Sequence, residues 1–166
     1  LYANGNCGIN DKGIDNPKLE ILYANDNAKI TTVKHLKNLC KLHASDSCGI
    51  NDEGIDNPKL EVLYANDNAK ITTVKHLKNL RRLYASDNCG ISDKGISNPK
   101  LEVLYADYNE KITTVKHLKN LRELHTGYDC GISDKGIDNP KLEVLYADYN
   151  EKITTVKHLK NLRVLY

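Results

Sequence analysis

A 25-residue stretch, "NPKLEVLYADYNEKITTVKHLKNLR", fills residues 98–122 and recurs unchanged at 139–163. A third copy, at 57–81, differs at three positions: Asn66, Asp67 and Ala69 stand where Asp107, Tyr108 and Glu110 stand later. Repetition of this fidelity excludes most folds. Each copy has to follow the same local path, and none buries its apolar face without its neighbours. The period is 41 residues, marked by Leu1, Leu42, Leu83, Leu124 and Leu165. Leu22, Leu63, Leu104 and Leu145 divide it into steps of 21 and 20, so the repeating object is a coil of about 20 residues. We call coils of the type "LEVLYA" acid-led and those of the type "LRRLYA" Arg-led.

Written from its first Leu, each coil reads L-x-x-L-x-A-x-x-N-x-x-I, as in "LEILYANDNAKI" from Leu19 and "LRRLYASDNCGI" from Leu80. In "LYA" the Leu and Ala are two apart, so both face one side of a strand and the Tyr faces the other. The Asn that follows (Asn6, Asn27, Asn68, Asn88, Asn109, Asn150) is placed to form a ladder that bonds the backbone of a turn. Behind it, "ITTVKHLKNL" sets Ile, Val, Leu and Leu three apart, a spacing that suits a 3₁₀ or extended path rather than an α-helix. In the Arg-led coil, "GISDKGISNPKL" offers Gly95 for a left-handed turn, and Pro99 stops any helix.

This pattern resembles the leucine-rich repeat, L-x-x-L-x-L-x-x-N/C-x-L, over essentially the whole chain. It departs from that signature twice. The sixth position is Ala, or Thr126 once, and the aliphatic after the Asn falls one residue late, at Ile30, Ile50, Ile71, Ile91, Ile112 and Ile132. The phrases "NCGI", "DKGI" and "KITTVKHLKNL" are similar to repeats of giant DNA viruses of amoebae. The resemblance implies an α/β-type solenoid dominated by β: one parallel sheet, short 3₁₀ or irregular back segments, about eight coils over 1–166 as four double repeats, and weak curvature. A parallel β-helix is the alternative, disfavoured by the single strand per coil.

Equivalent positions of successive coils stack about 4.8 Å apart, so the columns are read as ladders. The second column, Glu20, Cys40, Glu61, Arg81, Glu102, Arg122, Glu143, Arg163, alternates in sign apart from Cys40 and sets the register. The third varies only in Arg-led coils, as Lys41, Arg82, Glu123 and Val164. The fifth is an aromatic stripe: Tyr2, Tyr23, His43, Tyr64, Tyr84, Tyr105, His125, Tyr146, Tyr166. The eighth changes midway, from Asp26, Asp46, Asp67 and Asp87 to Tyr108, Tyr128 and Tyr149. Stacked carboxylates raise one another's pKa or attract a cation, but a calcium site needs six to eight oxygens. We expect no metal and no cofactor. Differences among copies gather on this open face, which marks it as the partner-binding face.

The remaining chemistry argues against catalysis. His35, His76, His117 and His158 recur every two coils, about 10 Å apart, too far to share a zinc ion. Cys7, Cys48, Cys89 and Cys130 are separated likewise, so no disulfides are expected, and Cys40 is a fifth, odd thiol. No phosphate loop and no HExxH motif is present. Every Asp, Thr and His belongs to a series, whereas a catalytic site is singular. Lys34 and Lys37 with their copies alternate with Asp52, Glu53 and Asp56, a solvated back surface rather than a nucleic-acid track. Net charge is +2, and no apolar run is long enough to span a membrane. The odd cysteine count and the lack of an N-x-S/T site favour an intracellular or virion-associated setting.

Two functions are expected from these features. The first is a non-enzymatic protein-interaction module using the open sheet face. The alternative is a structural protein whose coils, lacking polar caps between "LYANGN" and "RVLY", self-associate end to end into a filament or layer.

Overall fold

The computed structural model describes residues 1–166. The chain is a solenoid with a single all-parallel sheet and almost no helix. Its strands are β1 (Ile21–Tyr23), β2 (Lys41–His43), β3 (Val62–Tyr64), β4 (Arg82–Tyr84), β5 (Val103–Tyr105), β6 (Glu123–His125), β7 (Val144–Tyr146) and β8 (Val164–Leu165). These eight strands pair in chain order, one per coil, with Tyr2 bridging to Tyr23 ahead of β1. The register is Leu on Leu throughout, as in Leu22↔Leu42 and Leu63↔Leu83. A slip by one residue would expose every one of these side chains, and each fully buried Leu contributes about 1.5–3 kcal/mol.

The core is one continuous column of 39 residues. In acid-led coils the back segment is a chain of tight turns, with Leu77 N–H donating to Val74 O (2.9 Å) and Leu80 N–H to Leu77 O (3.1 Å). Each turn brings one apolar side chain inward every third residue, so Ile71, Val74, Leu77 and Leu80 are all buried. The true 3₁₀ turns lie in the Arg-led coils, at Asp52–Gly54, Asp93–Gly95 and Asp134–Gly136. Gly95 corrects the expectation of a left-handed turn, because its φ is not positive. A Cβ there would lie 2.2 Å from Thr72 O in the preceding coil. Glycine is required because two backbones approach, not because of handedness.

Polar groups tie each coil to the next. Asp52 Oδ1 accepts from the N–H groups of Thr72 (2.6 Å) and Thr73 (3.1 Å), while its Oδ2 accepts from Thr72 Oγ1 (2.5 Å). Asp11, Asp93 and Asp134 hold their threonine pairs in the same way. Asn98 Nδ2 is buried and donates to Val74 O (2.7 Å) and Leu77 O (2.9 Å), with Asn57 and Asn139 as its copies. The other amide atom in this series, Oδ1, is buried without a partner in all three.

The asparagine ladder needs a correction of its own. Asn27, Asn68, Asn109 and Asn150 are buried, and each Nδ2 donates to two carbonyls of the preceding coil, such as Ala44 O (2.7 Å) and Ile50 O (3.2 Å) for Asn68. Asn6 and Asn88 are exposed. In Arg-led coils one more residue precedes the inward position, so the buried place falls to Cys48, Cys89 and Cys130. The ladder therefore runs through alternate coils only. Burial pushes the Cys89 thiol up to about 11, so it packs as a small apolar group. All five cysteines are free. No helix is long and apolar enough to cross a membrane.

Candidate interaction face

The third, fifth and seventh columns point outward from the sheet because the inward alternates are Leu and Ala. In-register parallel pairing then places like on like. The fifth column forms one unbroken stack from Tyr2 through Tyr23, His43, Tyr64, Tyr84, Tyr105, His125 and Tyr146 to Tyr166. Its closest ring centroids are 3.7 Å apart, at Tyr105–His125, and its widest 4.7 Å, at Tyr146–Tyr166. Rings packed at this spacing cover one another's faces and leave edges and hydroxyls to solvent.

The two histidines of the stack sit in opposite surroundings. Burial and the Lys41 ammonium push His43 down to about 4, and its Nε2 is buried without a partner. His125 Nε2 lies 2.9 Å from Glu123 Oε1, which also accepts from the Tyr105 hydroxyl at 3.3 Å. Burial, with the Glu123 carboxylate, pushes Tyr105 up to about 12. The third column thus sets an ammonium beside one histidine of the stack and a carboxylate beside the other. Arg82, in the same column, is exposed beside Tyr84.

The second column makes fewer ion pairs than its alternation offers. Arg81 meets Glu102 and Arg122 meets Glu143, each at 2.5 Å, and Glu61 and Arg163 have no ion-pair partner. A guanidinium leaning onto the following glutamate leans away from the preceding one. These pairs are largely solvated and contribute about 0.2–1 kcal/mol each.

The eighth column forms the corner where each strand turns back. Every residue in it is left-handed: Gly5 (φ 60°), Asp26 (59°), Asp46 (61°), Asp67 (54°), Asp87 (61°), Tyr108 (59°), Tyr128 (58°) and Tyr149 (58°). Glycine and aspartate adopt this conformation readily, and a bulky side chain does not. In the first half the carboxylates are put to local use: Asp67 Oδ1 accepts from Asn88 N–H and Nδ2 at 3.2 Å each. Asp46 and Asp87 are held above the usual carboxylate range, by burial first and by neighbouring aspartates second. In the second half the tyrosines stack as a second aromatic ladder, with centroids 4.3 Å apart for Tyr108–Tyr128 and 5.3 Å for Tyr128–Tyr149. They are exposed by 46%, 40% and 80%.

Around those tyrosines the acidity is relocated rather than lost. Asp107, Glu110, Asp129, Asp148 and Glu151 flank them in sequence, and none has an ion-pair partner. The nearby lysines bond the backbone rather than these carboxylates: Lys111 Nζ donates to Cys89 O and Lys152 Nζ to Cys130 O, both at 2.9 Å. Gly127 replaces the serine of earlier Arg-led coils, and its N–H donates to Asp107 Oδ1 at 2.7 Å. Column reading singled out the tyrosines but gave no role to Asp129, Asp148 and Glu151, which lie one or two residues from them. No three His, Cys, Asp or Glu side chains converge in a metal-binding arrangement. No family model matches the chain, and the comparison with curated proteins finds no match.

Proposed function

We propose that the chain is a leucine-rich-repeat-type solenoid that works as a non-enzymatic interaction module, binding a protein partner on its open face and the adjoining corner. One observation carries this reading. In the acid-led back segment the Thr, His and Asn side chains are spent on bonds between coils and the sequence is constant. The Arg-led back segment varies at Asn51/Ser92, Glu53/Lys94 and Asp56/Ser97, and the open side varies in charge and aromatic character. "KITTVKHLKNL" is identical in all its copies, while Lys41, Arg82 and Glu123 differ in charge at one column and Asp67 and Tyr108 differ at another. Lys41 and Arg82, which differ most among copies, take part in no ion pair and are free to meet a partner. The serial recurrence of every other polar group supports binding over catalysis, which needs a singular arrangement.

Selection of a displayed random-peptide library against the chain tests this. Peptides recovered from the selection are expected to lose binding to a Lys41→Glu/Arg82→Glu variant or to variants of the corner. They should bind a back-wall variant, Lys116→Glu, as well as the parent. Binders indifferent to the open-face changes and sensitive to Lys116→Glu would sink the reading.

A further inference from the structure

The corner from Tyr108 to Tyr149 differs from the rest of the eighth column in a way that repeat duplication does not account for. Tyr108 and Tyr149 lie in the duplicated 25-residue stretch, so one change serves both. Tyr128 lies outside it, in an Arg-led coil whose other copies carry Asp46 and Asp87. The same exchange of Asp and Tyr has thus arisen in two coil types of different sequence, and it makes three adjacent corners alike. Each of these tyrosines holds a left-handed backbone that its side chain disfavours. Non-glycine residues kept in such conformations are strained, and they cluster at ligand-binding sites.

What the corner offers a ligand follows from its geometry. With the rings stacked at 4.3 and 5.3 Å, the faces between them are occupied, and what reaches solvent is a strip of ring edges and phenol hydroxyls, ended by the open outer face of Tyr149. Ring edges carry partial positive charge and meet the negative face of another aromatic ring in an edge-to-face contact. The five carboxylates at 107, 110, 129, 148 and 151, none of them in an ion pair, attract cations. The two ladder steps of about 4.8 Å between the three tyrosines cover the length of roughly three extended residues.

We propose that the Tyr108–Tyr128–Tyr149 corner binds a segment of a partner protein rich in both basic and aromatic residues. Its aromatic side chains lie flat on the ring edges, and its basic side chains meet the flanking carboxylates. The proposal rests on the interaction-module reading and narrows it to one corner and one chemistry.

The test uses the full chain and short synthetic peptides alternating Arg with Trp, Arg with Ser, and Glu with Trp, titrated by fluorescence anisotropy at two salt concentrations. The Arg–Trp peptide binds, and its affinity falls with added salt. The triple variant Tyr108→Asn/Tyr128→Asn/Tyr149→Asn weakens it by about tenfold or more. Asparagine suits the left-handed corner and leaves every carboxylate in place, so this loss reports the rings rather than misfolding or charge, and a thermal melt checks the fold. Replacing Asp129 and Asp148 by Asn, and Glu110 and Glu151 by Gln, produces a comparable loss. Several outcomes overturn the proposal: no binding of the Arg–Trp peptide, equal affinity for the asparagine variant, or equally tight binding of either control peptide. Library peptides that map to the open face with a different composition would leave the broader reading standing while this one fell.

Discussion

On the back wall, Asp52, Gly95 and Asn98 each touch the backbone of the preceding or following coil. At the corner, Asp67 and Tyr108 share one backbone conformation and no side-chain chemistry. The two regions belong to the same coils and the same duplications. Asp52, Gly95 and Asn98 are each required by two coils at once and are the same in every copy. A corner side chain is required chiefly by its left-handed φ, with a bond to the next coil only where it is Asp, as at Asp26 and Asp67. Invariance within one chain here has a mechanical origin, and the freedom of the corner is what leaves room for recognition.

The sharpest way to break this comparison is on the back wall. Gly95→Ala places a methyl group 2.2 Å from Thr72 O, a backbone atom that yields only if two coils separate. The expected loss is about 3 kcal/mol or more, read by urea denaturation. Asn98→Ala comes next, removing two buried hydrogen bonds to the carbonyls of Val74 and Leu77, which keep only their turn bonds, at a cost of about 1–3 kcal/mol. A marginal effect of either would mean that the coils are held by apolar packing alone.

His43 gives a pH-dependent contrast between the back wall and the open face. Its folded pKa of about 4 lies below the ordinary 6.5. Between those values the unfolded chain binds the proton and the folded one does not, so stability falls as pH falls through that window. Because the ring is partly solvated, the expected loss is on the order of 1–2 kcal/mol rather than the full shift. His43→Tyr, which installs the ring found in most coils, removes this term. Melts of parent and variant at neutral pH and near pH 4 check it: the gap between them widens on acidification, and a constant gap refutes the assignment.

Much of the architecture could be read from the Leu spacing. A period of 20 and 21 with "LYA" in each step admits one strand per coil, and like residues then stack, which made the fifth-column ladder visible in advance. Contacts that bridge coils were harder to see. The Asp52–Thr72 clasp joins residues 20 apart, and nothing in either segment alone announces it. Gly95 carried a wrong explanation because a glycine demanded by a neighbouring backbone looks like one demanded by φ. The ladder assigned to Asn88 failed because one added residue in the Arg-led coil moves the inward place to Cys89. The left-handed corner did have a sign in the sequence, a column of Gly5 and four aspartates, which are the residues that tolerate it. That column was read for its charge instead.

The corner itself is tested by exchanging its two halves. Asp67→Tyr forces a bulky side chain into the left-handed conformation and removes the bonds to Asn88, with an expected loss of about 1 kcal/mol. Tyr149→Asn runs the other way. Its ring is 80% exposed and stacks only on Tyr128, at 5.3 Å, so little packing is lost. The backbone gains a residue suited to φ 58°. The variant is expected to be more stable by about 0.5–1 kcal/mol, seen as a rise in the denaturation midpoint with an unchanged slope. A tyrosine whose removal stabilises the fold is not there to hold the coil together. If Tyr149→Asn destabilises the chain instead, the ring ladder is a structural device and the case for a binding corner loses its energetic basis.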